Sequence, residues 1–393
     1  MDRRQFVILT AGVAGATAAA GAFAQTPVPG DALGGSLSPS SVQPRRTLRV
    51  GGDYHAHAGD SALSQENIDF NLRNGVRFLT VNMAKGVAPL NKDAKGHPDE
   101  AGWLRPTGPW DLAGLQSMQQ KFNDAGIKLE GARMDSAYIV MKPGPERERY
   151  VDLIRDNIRK AAAAGFTTVN YHWTMIPIRR NLKVPGRGDS TYVGFKLEDD
   201  YLKLPATPAA GNVSLADYWE RIEYFLKAVI PVAKENNIKM AVHPYDPGGL
   251  PLGYQGVDNW DSVDFIAAMK KYELLYDDPH NGFQYDTGVA AESIQNPNAQ
   301  LGLLEYLVKR GKVHQIHLRN IRGHQNDFVE TYHDEGDIDL FAIVRLLKNL
   351  NWEGSLLPDH TPVSPTDPGR LQGYAFAYGY IAGLINAAYA QAG

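Results

Sequence analysis

The chain has 393 residues, 43% hydrophobic and 21% charged, with a net charge of −4 and no cysteine. That balance argues against a nucleic-acid partner, because phosphate binding needs clustered Lys and Arg, and it offers no basic face to an anionic membrane. Without cysteine there is no disulfide framework, thiolate zinc site, iron–sulfur cluster or Cys nucleophile.

The chain opens Met1-Asp2-Arg3-Arg4-Gln5-Phe6-Val7, and a run of Ala, Gly and Val follows to Ala22-Phe23-Ala24. A charged start, an apolar stretch and an A-x-A site read as a cleaved export signal over residues 1–24. Arg3-Arg4 followed by Phe6 resembles the twin-arginine signal, which implies passage of an already folded protein, often with its cofactor in place. An uncleaved N-terminal anchor is the alternative, but the stretch is short for a permanent span. The Pro-, Gly- and Ser-rich residues 25–46 read as a linker or tail, and 47–393 as one catalytic domain. The expected location is periplasmic or otherwise exported, with no membrane span in the mature protein. Lack of cysteine suits an oxidising compartment. Homo-oligomerisation is left open.

From Arg46 onward, short β-rich runs alternate with helical patterns. Strands are expected near Leu48–Val50, Phe78–Val81, Lys128–Gly131, Thr167–Asn170, Lys239–Val242, Gly282–Tyr285, Val313–Ile316 and Gly354–Leu357. Tyr150, Ile154 and Ile158 mark one helix. Ser214-Leu215-Ala216-Asp217 opens another, with Tyr218, Ile222, Phe225, Val229 and Val232 as its apolar stripe. Leu340, Ile343, Leu346 and Leu347 mark a later one, and the last runs from about Tyr374 to Ala390. Eight strand–helix units predict a (β/α)8 TIM barrel. The alternative, a doubly wound dinucleotide-binding sheet, lacks its glycine fingerprint after the first strand: Val50-Gly51-Gly52-Asp53 does not match.

Barrel active sites lie at the C-terminal ends of the strands. Six of the 11 histidines fall at or just after expected strand ends: His55, His57, His172, His243, His317 and His360. Four successive strand ends carry His243, Asp286, His317 and Asp359. Two imidazoles and two carboxylates suit Mn2+, Fe2+, Co2+ or Zn2+ better than a soft metal. Taken singly, each has a plainer reading, such as Asp286 in an Asx-turn before Gly288 or Asp359 as a helix cap. His55 and His57 line the pocket or hold a second polar network. His97, His280, His314 and His324 read as surface or loop residues. Arg319 is a candidate clamp for a substrate carboxylate, with an ion pair to Asp337 or Asp339 as the alternative. Tyr171, His172 and Trp173 form a sugar-facing wall or pack under a loop.

From about Tyr150 to Pro362 the chain resembles the mannonate dehydratase family of xylose-isomerase-like barrels. The resemblance runs through Asp156-Asn157-Ile158, Thr168-Val169-Asn170-Tyr171, Tyr224 to Ala233 and Met240-Ala241-Val242-His243-Pro244. It continues through His317-Leu318-Arg319-Asn320, His333 to Asp339 and Pro358-Asp359-His360. It implies a metal-dependent lyase that dehydrates a sugar acid, D-mannonate or a related uronate or keto-sugar, to a 2-keto-3-deoxy product. The implied cofactor is one divalent metal, usually Mn2+, held by two His, one Cys and one Asp. Carried over, these fall on His243, His317 and Asp359, with Asp286-Thr287-Gly288 standing where the family has Cys-Thr-Gly. The family also uses a His beside the ligand Asp, which is His360, and a Tyr whose best match is Tyr374. Two further readings remain open: a sugar isomerase or epimerase on the same barrel, and a non-catalytic sugar-binding barrel.

Overall fold

The computed structural model describes residues 46–56, 62–83, 108–135 and 137–391. Eight parallel strands follow one another around a barrel: β1 (Leu48–Val50), β2 (Phe78–Asn82), β3 (Lys128–Arg133), β4 (Thr168–His172), β7 (Lys239–His243), β8 (Asn281–Asp286), β9 (Val313–His317) and β12 (Gly354–Leu357). Between β1 and β2 the ring is closed by Gly52, whose N–H reaches the Phe78 carbonyl at 2.9 Å and whose carbonyl accepts from Thr80 at 3.0 Å. All eight expected strands form. Several extend a residue or two beyond expectation, which makes His172, His243, Asp286 and His317 the last residues of their strands.

The helices follow their local chemistry. In α3 (Pro145–Ala163), Pro145 fills a first-turn position that needs no N–H donor, and Tyr150, Ile154 and Ile158 are buried. In α4 (Leu215–Glu235) the Ser214 hydroxyl caps the Asp217 N–H at 3.2 Å, and all five residues of the expected stripe are buried. Each buried side chain of that kind contributes roughly 1.5–3 kcal/mol against exposure. The remaining helices are α1 (Gln65–Arg73), α2 (Leu112–Asp124), α5 (Phe265–Leu275), α6 (Thr287–Glu292), α7 (Gln300–Lys309), α8 (Leu340–Asn349) and α9 (Leu371–Ala390). Among the described residues no helix is long and apolar enough to cross a membrane.

A second sheet is absent from the sequence reading. Its antiparallel strands β5 (Leu182–Pro185), β6 (Thr191–Lys196), β10 (Ile321–His324) and β11 (Asp327–Glu330) run in the order β10-β11-β6-β5. They come from the segments after β4 and after β9, so the sheet joins two mouth loops. These strands are short, half-exposed and set among Gly, Pro and Asp, so they read as loop. At Gly194 an added Cβ would lie 2.0 Å from the Phe328 carbonyl oxygen, so the β6–β11 contact requires a glycine.

The barrel interior is polar below the mouth. Asn170 donates to Gln315 at 2.7 Å, and Gln315 donates to Thr80 at 3.1 Å. His314, expected at the surface or in a loop, lies inside β9. Burial and two nearby lysines, Lys239 and Lys312, push its pKa down to about 3.

Candidate metal centre and active site

Donor atoms of His243, Asp286, His317 and Asp359 all lie within 4.8 Å of one another, and all four residues are buried. Three of them end neighbouring strands. Asp359 follows β12 with φ at +20°, so the strand's alternation stops there and both Asp359 and His360 face the mouth.

The donor atoms of the cluster converge on one point. His243 Nδ1 lies 2.7 Å from the Pro244 carbonyl, which can only accept, so Nδ1 carries the hydrogen. Its Nε2 lies within hydrogen-bonding distance of Asp286 Oδ2, at 3.2 Å. His317 Nδ1 lies 3.1 Å from Asp359 Oδ1 and 3.6 Å from Asp286 Oδ2, yet it makes no hydrogen bond. Its Nε2 rests against the Gln284 amide at 2.7 Å. Burial works against charge on His317, but Asp359, Asp286 and Asp53 outweigh it and raise its pKa to about 10. Burial likewise opposes ionisation of both acids, yet Arg319 with His243 and His317 holds Asp286, and His360, His317 and His55 hold Asp359, far below the ordinary range. A nitrogen–oxygen donor set of two carboxylates and two imidazoles fits a divalent cation, which on binding takes the place of the proton that His317 otherwise holds.

Two other triads of ligand-type atoms adjoin this one: His55, Asp359 and His360, and Asp246, Glu330 and His360. In the second, positive charge is already supplied. Arg180 Nη2 lies 2.7 Å from Asp246 and 2.6 Å from Glu330.

Each residue of Asp286-Thr287-Gly288 has a separate task. Asp286 Oδ1 caps α6 by accepting the Val289 N–H at 2.8 Å, so the Asx-type role and the cluster role coexist. The Thr287 hydroxyl accepts the Arg319 N–H at 3.0 Å. A Cβ on Gly288 would lie 2.6 Å from Arg319 Cγ, so only glycine leaves the arginine its place.

Arg319 does not clamp substrate, nor does it pair with Asp337 or Asp339. It is 1% exposed, and its guanidinium faces Asp286, Asp359, Glu292, Asp246 and Glu330 at 2.9–3.4 Å. Five carboxylates leave it nothing to offer a ligand. Asp337 accepts the Gly323 N–H and Asp339 caps α8.

Tyr374 lies beneath the mouth, where its hydroxyl donates to the Asp359 carbonyl at 2.9 Å and burial pushes its pKa well above the ordinary value. The tyrosine that the resemblance pairs with His360 is thus fixed on the residue just before it. Tyr171 is a second correction. It points away from the barrel interior, bonded to the Tyr272 hydroxyl at 2.7 Å and packed on Trp173 and Phe225. Alternation puts its neighbour His172 on the inner face instead, in register with His243 and with Nδ1 against the Thr174 hydroxyl.

His360 stands at the mouth, its Nδ1 2.7 Å from Glu330 Oε1. Burial alone would lower its pKa; Asp359 and Glu330 outweigh that and raise it. His55 lies nearby, its Nδ1 2.9 Å from Asp53 Oδ2. His57 and His97 lie outside the described residues. The sequence reading missed Glu330, Asp246, Glu292 and Arg180. They sit on mouth segments with no spacing pattern, and only the fold brings them together.

Comparison with known proteins agrees with this geometry. The family described as D-mannonate dehydratase (UxuA) matches residues 205–392. A mannonate dehydratase of Streptococcus suis (strain 05ZYH33) is 30% identical over 296 residues, 67% of this chain and 78% of the relative. The chain belongs to the mannonate dehydratase family. A second mannonate dehydratase, from Thermotoga petrophila, is 27% identical over 292 residues, 64% of this chain and 78% of that one. The crystal structure of mannonate dehydratase from Streptococcus suis serotype 2 superposes with a TM-score of 0.69 at 26% identity, covering 87% of this chain and 93% of that one. A 3-keto-D-glucoside 4-epimerase from E. coli reaches a TM-score of 0.55 at 14% identity over 86% of this chain and 99% of its own, a likeness of fold alone. The mannonate dehydratase motifs His317-Leu318-Arg319-Asn320 and Pro358-Asp359-His360 therefore have a structural reading here. They deliver a ligand-type His, its carboxylate-holding Arg, and the Asp–His pair of the mouth.

Proposed function

We propose that this protein is a metal-dependent hydro-lyase that dehydrates a sugar acid such as D-mannonate to its 2-keto-3-deoxy product. The observation that carries the reading is the convergence of His243, Asp286, His317 and Asp359 at one barrel mouth in a chain of this family. These four would hold one divalent cation. Mn2+ stands first, with Fe2+, Co2+ and Zn2+ behind it, because the donors are nitrogen and oxygen with no sulfur. When bound, such a cation supplies Lewis-acid stabilisation of the negative charge that develops beside the substrate carboxylate as the C2 proton leaves.

His360 is the acid–base residue of this reading. With Nδ1 tied to Glu330, Nε2 is the atom left to exchange a proton with substrate. His172 lines the inner wall on the His243 side, where a sugar hydroxyl would lie. Arg319 keeps Asp286 ionised and contacts the carboxylates of both Asp286 and Asp359.

The test is product identification. Mn2+-loaded protein is incubated with D-mannonate, other aldonic acids, uronic acids and keto-sugars, and products are read by NMR and mass spectrometry. Loss of one water with a 2-keto-3-deoxy acid is expected. A product of unchanged mass would replace this reading with a sugar isomerase or epimerase. Binding without any product would make it a sugar-binding barrel.

We also infer that the protein is exported. The support is Arg3-Arg4, the apolar run and Ala22-Phe23-Ala24, all outside the described residues. Mass spectrometry of native protein should find a chain starting near Gln25; an intact Met1 in a cytosolic fraction would contradict it.

A further inference from the structure

Beneath the donor cluster the barrel interior carries a floor of uncharged polar side chains, with Gln315 at its hub. Gln315 Oε1 accepts from Asn170 Nδ2 at 2.7 Å and lies 3.4 Å from Gln284 Nε2, while Gln315 Nε2 donates to the Thr80 hydroxyl at 3.1 Å. The four residues come from β9, β4, β8 and β2, and each is at most 3% exposed. A glycine on β3 makes room for them: a Cβ on Gly131 would lie 2.5 Å from Thr80 Oγ1 and 2.6 Å from Asn170 Oδ1. Buried amides cost free energy unless they are bonded, and Val or Leu would fill a barrel interior without that cost. What stands on the floor gives it a use.

Gln284 is the floor residue that touches the metal centre. Its amide lies 2.7 Å from His317 Nε2, and its Oε1 makes no hydrogen bond among the described residues. Asp53 Oδ2 lies farther from the same ring nitrogen, at 3.5 Å, and is also 2.9 Å from His55 Nδ1. The other ring nitrogen of His317, Nδ1, faces Asp359 Oδ1 at 3.1 Å and Asp286 Oδ2 at 3.6 Å. His243 is turned the opposite way, with Nδ1 on the Pro244 carbonyl and Nε2 toward Asp286. The two imidazoles of the cluster therefore offer different ring atoms, Nε2 from His243 and Nδ1 from His317.

We propose that Gln284 is a positioning residue of the metal centre, holding His317 by Nε2 so that Nδ1 faces the cation. The proposal rests on the metal-centre part of the reading above and is independent of the reaction catalysed. A ring nitrogen that binds a cation carries no hydrogen, so the hydrogen of a ligating His317 sits on Nε2 and needs an acceptor. An amide has an acceptor at one end and a donor at the other, and a half-turn of its last torsion exchanges them. Gln284 meets Nε2 with its oxygen in that arrangement, and the floor fixes where the amide sits. Asp53, Asp286 and Asp359 already face His317 within 3.6 Å. An amide orients the ring without adding a further negative charge to that group.

The experiment uses the full chain, stripped of metal and reloaded. Proton–nitrogen correlation NMR of Zn2+-loaded wild type with isotope-labelled histidine should show His317 bound through Nδ1 with its hydrogen on Nε2. His243 should show the reverse. Zinc on Nε2 of His317 would overturn the inference without any substitution. Gln284→Met keeps the length of the side chain and removes the acceptor. It should weaken Mn2+ binding by about 10–100-fold, the usual cost of losing a group that orients a ligand, and shift the His317 Nε2–H resonance while that of His243 Nδ1–H stays in place. Gln284→Glu keeps an acceptor and loses the donor to Gln315, so it should hold Mn2+ at least as tightly as wild type. Equal losses in the two variants would assign the effect to packing of the floor and overturn the inference. Undiminished Mn2+ binding by Gln284→Met would overturn it too, leaving Asp53 as the orienting group and the metal centre intact. Wild type that binds neither Zn2+ nor Mn2+ would take the inference down with the reading it rests on.

Discussion

Arg319 Nε donates to both oxygens of Asp286 at 3.1 Å, so the arginine of the H-x-R-N motif serves the metal-type carboxylates instead of a substrate. Replacing it with Met keeps the volume and removes the charge. Arg319→Met should weaken divalent-metal binding and lower unfolding stability together. The stability loss should be about 3–5 kcal/mol, the cost of leaving buried charges unpaired. Metal titration and denaturant unfolding read both. A raised KM with stability and metal affinity intact would restore the substrate-clamp role.

Tyr374→Phe removes one hydroxyl from beneath Asp359. An unsatisfied buried carbonyl should cost about 1–3 kcal/mol of stability. Turnover should fall by roughly 10²–10⁴-fold, the worth of a positioned proton-transfer group, and a loss within about tenfold would leave the hydroxyl a positioning role alone. Steady-state kinetics beside a melting curve separates the two.

His360 and Asp359 are sequence neighbours with different duties. His360→Asn should abolish turnover at near wild-type metal content, whereas Asp359→Ala should lose metal and activity together. Elemental analysis of both purified variants alongside their rates checks this. Turnover by the His360 variant on the true substrate would move the acid–base role elsewhere.

The barrel was legible because its strands are short β-rich runs at regular intervals with striped helices between them, as Tyr218 to Val232 illustrates. The donor cluster was legible because successive strands of a barrel are neighbours, so residues ending them must meet. Arg319 misled for a physical reason. A residue type states what a side chain is able to do, but what it does depends on which groups surround it. Arg319 is enclosed by carboxylates from β8, α6, β11 and the segments after β7 and β12, and no local pattern announces that. Tyr171 and His172 show the opposite case. Strand alternation alone sends one outward and the other inward once the end of β4 is known. Glu330 was invisible because β11 belongs to a sheet assembled from two distant mouth loops.

A buried acid outside the donor cluster gives a pH signature of stability. Burial pushes Asp261 up to about 7, against the backbone N–H bonds that favour its charged form. A folded pKa above the unfolded value means that the folded state binds the proton more tightly. The stability this contributes is present below about pH 4 and is lost as pH rises through about 7. Asp261→Asn should flatten that decline, so urea unfolding between pH 5 and 8 should show the variant losing less stability than wild type. Parallel declines in the two proteins would contradict the assignment.

The most direct test of the central claim is anomalous diffraction from crystals of the Mn2+-loaded protein. The account predicts one anomalous peak within about 2.0–2.3 Å of donor atoms from His243, Asp286, His317 and Asp359, the range of nitrogen and oxygen ligand bonds to such metals. A peak among Asp246, Glu330 and His360 instead, or no peak at saturating Mn2+ in protein that dehydrates its substrate, would contradict it.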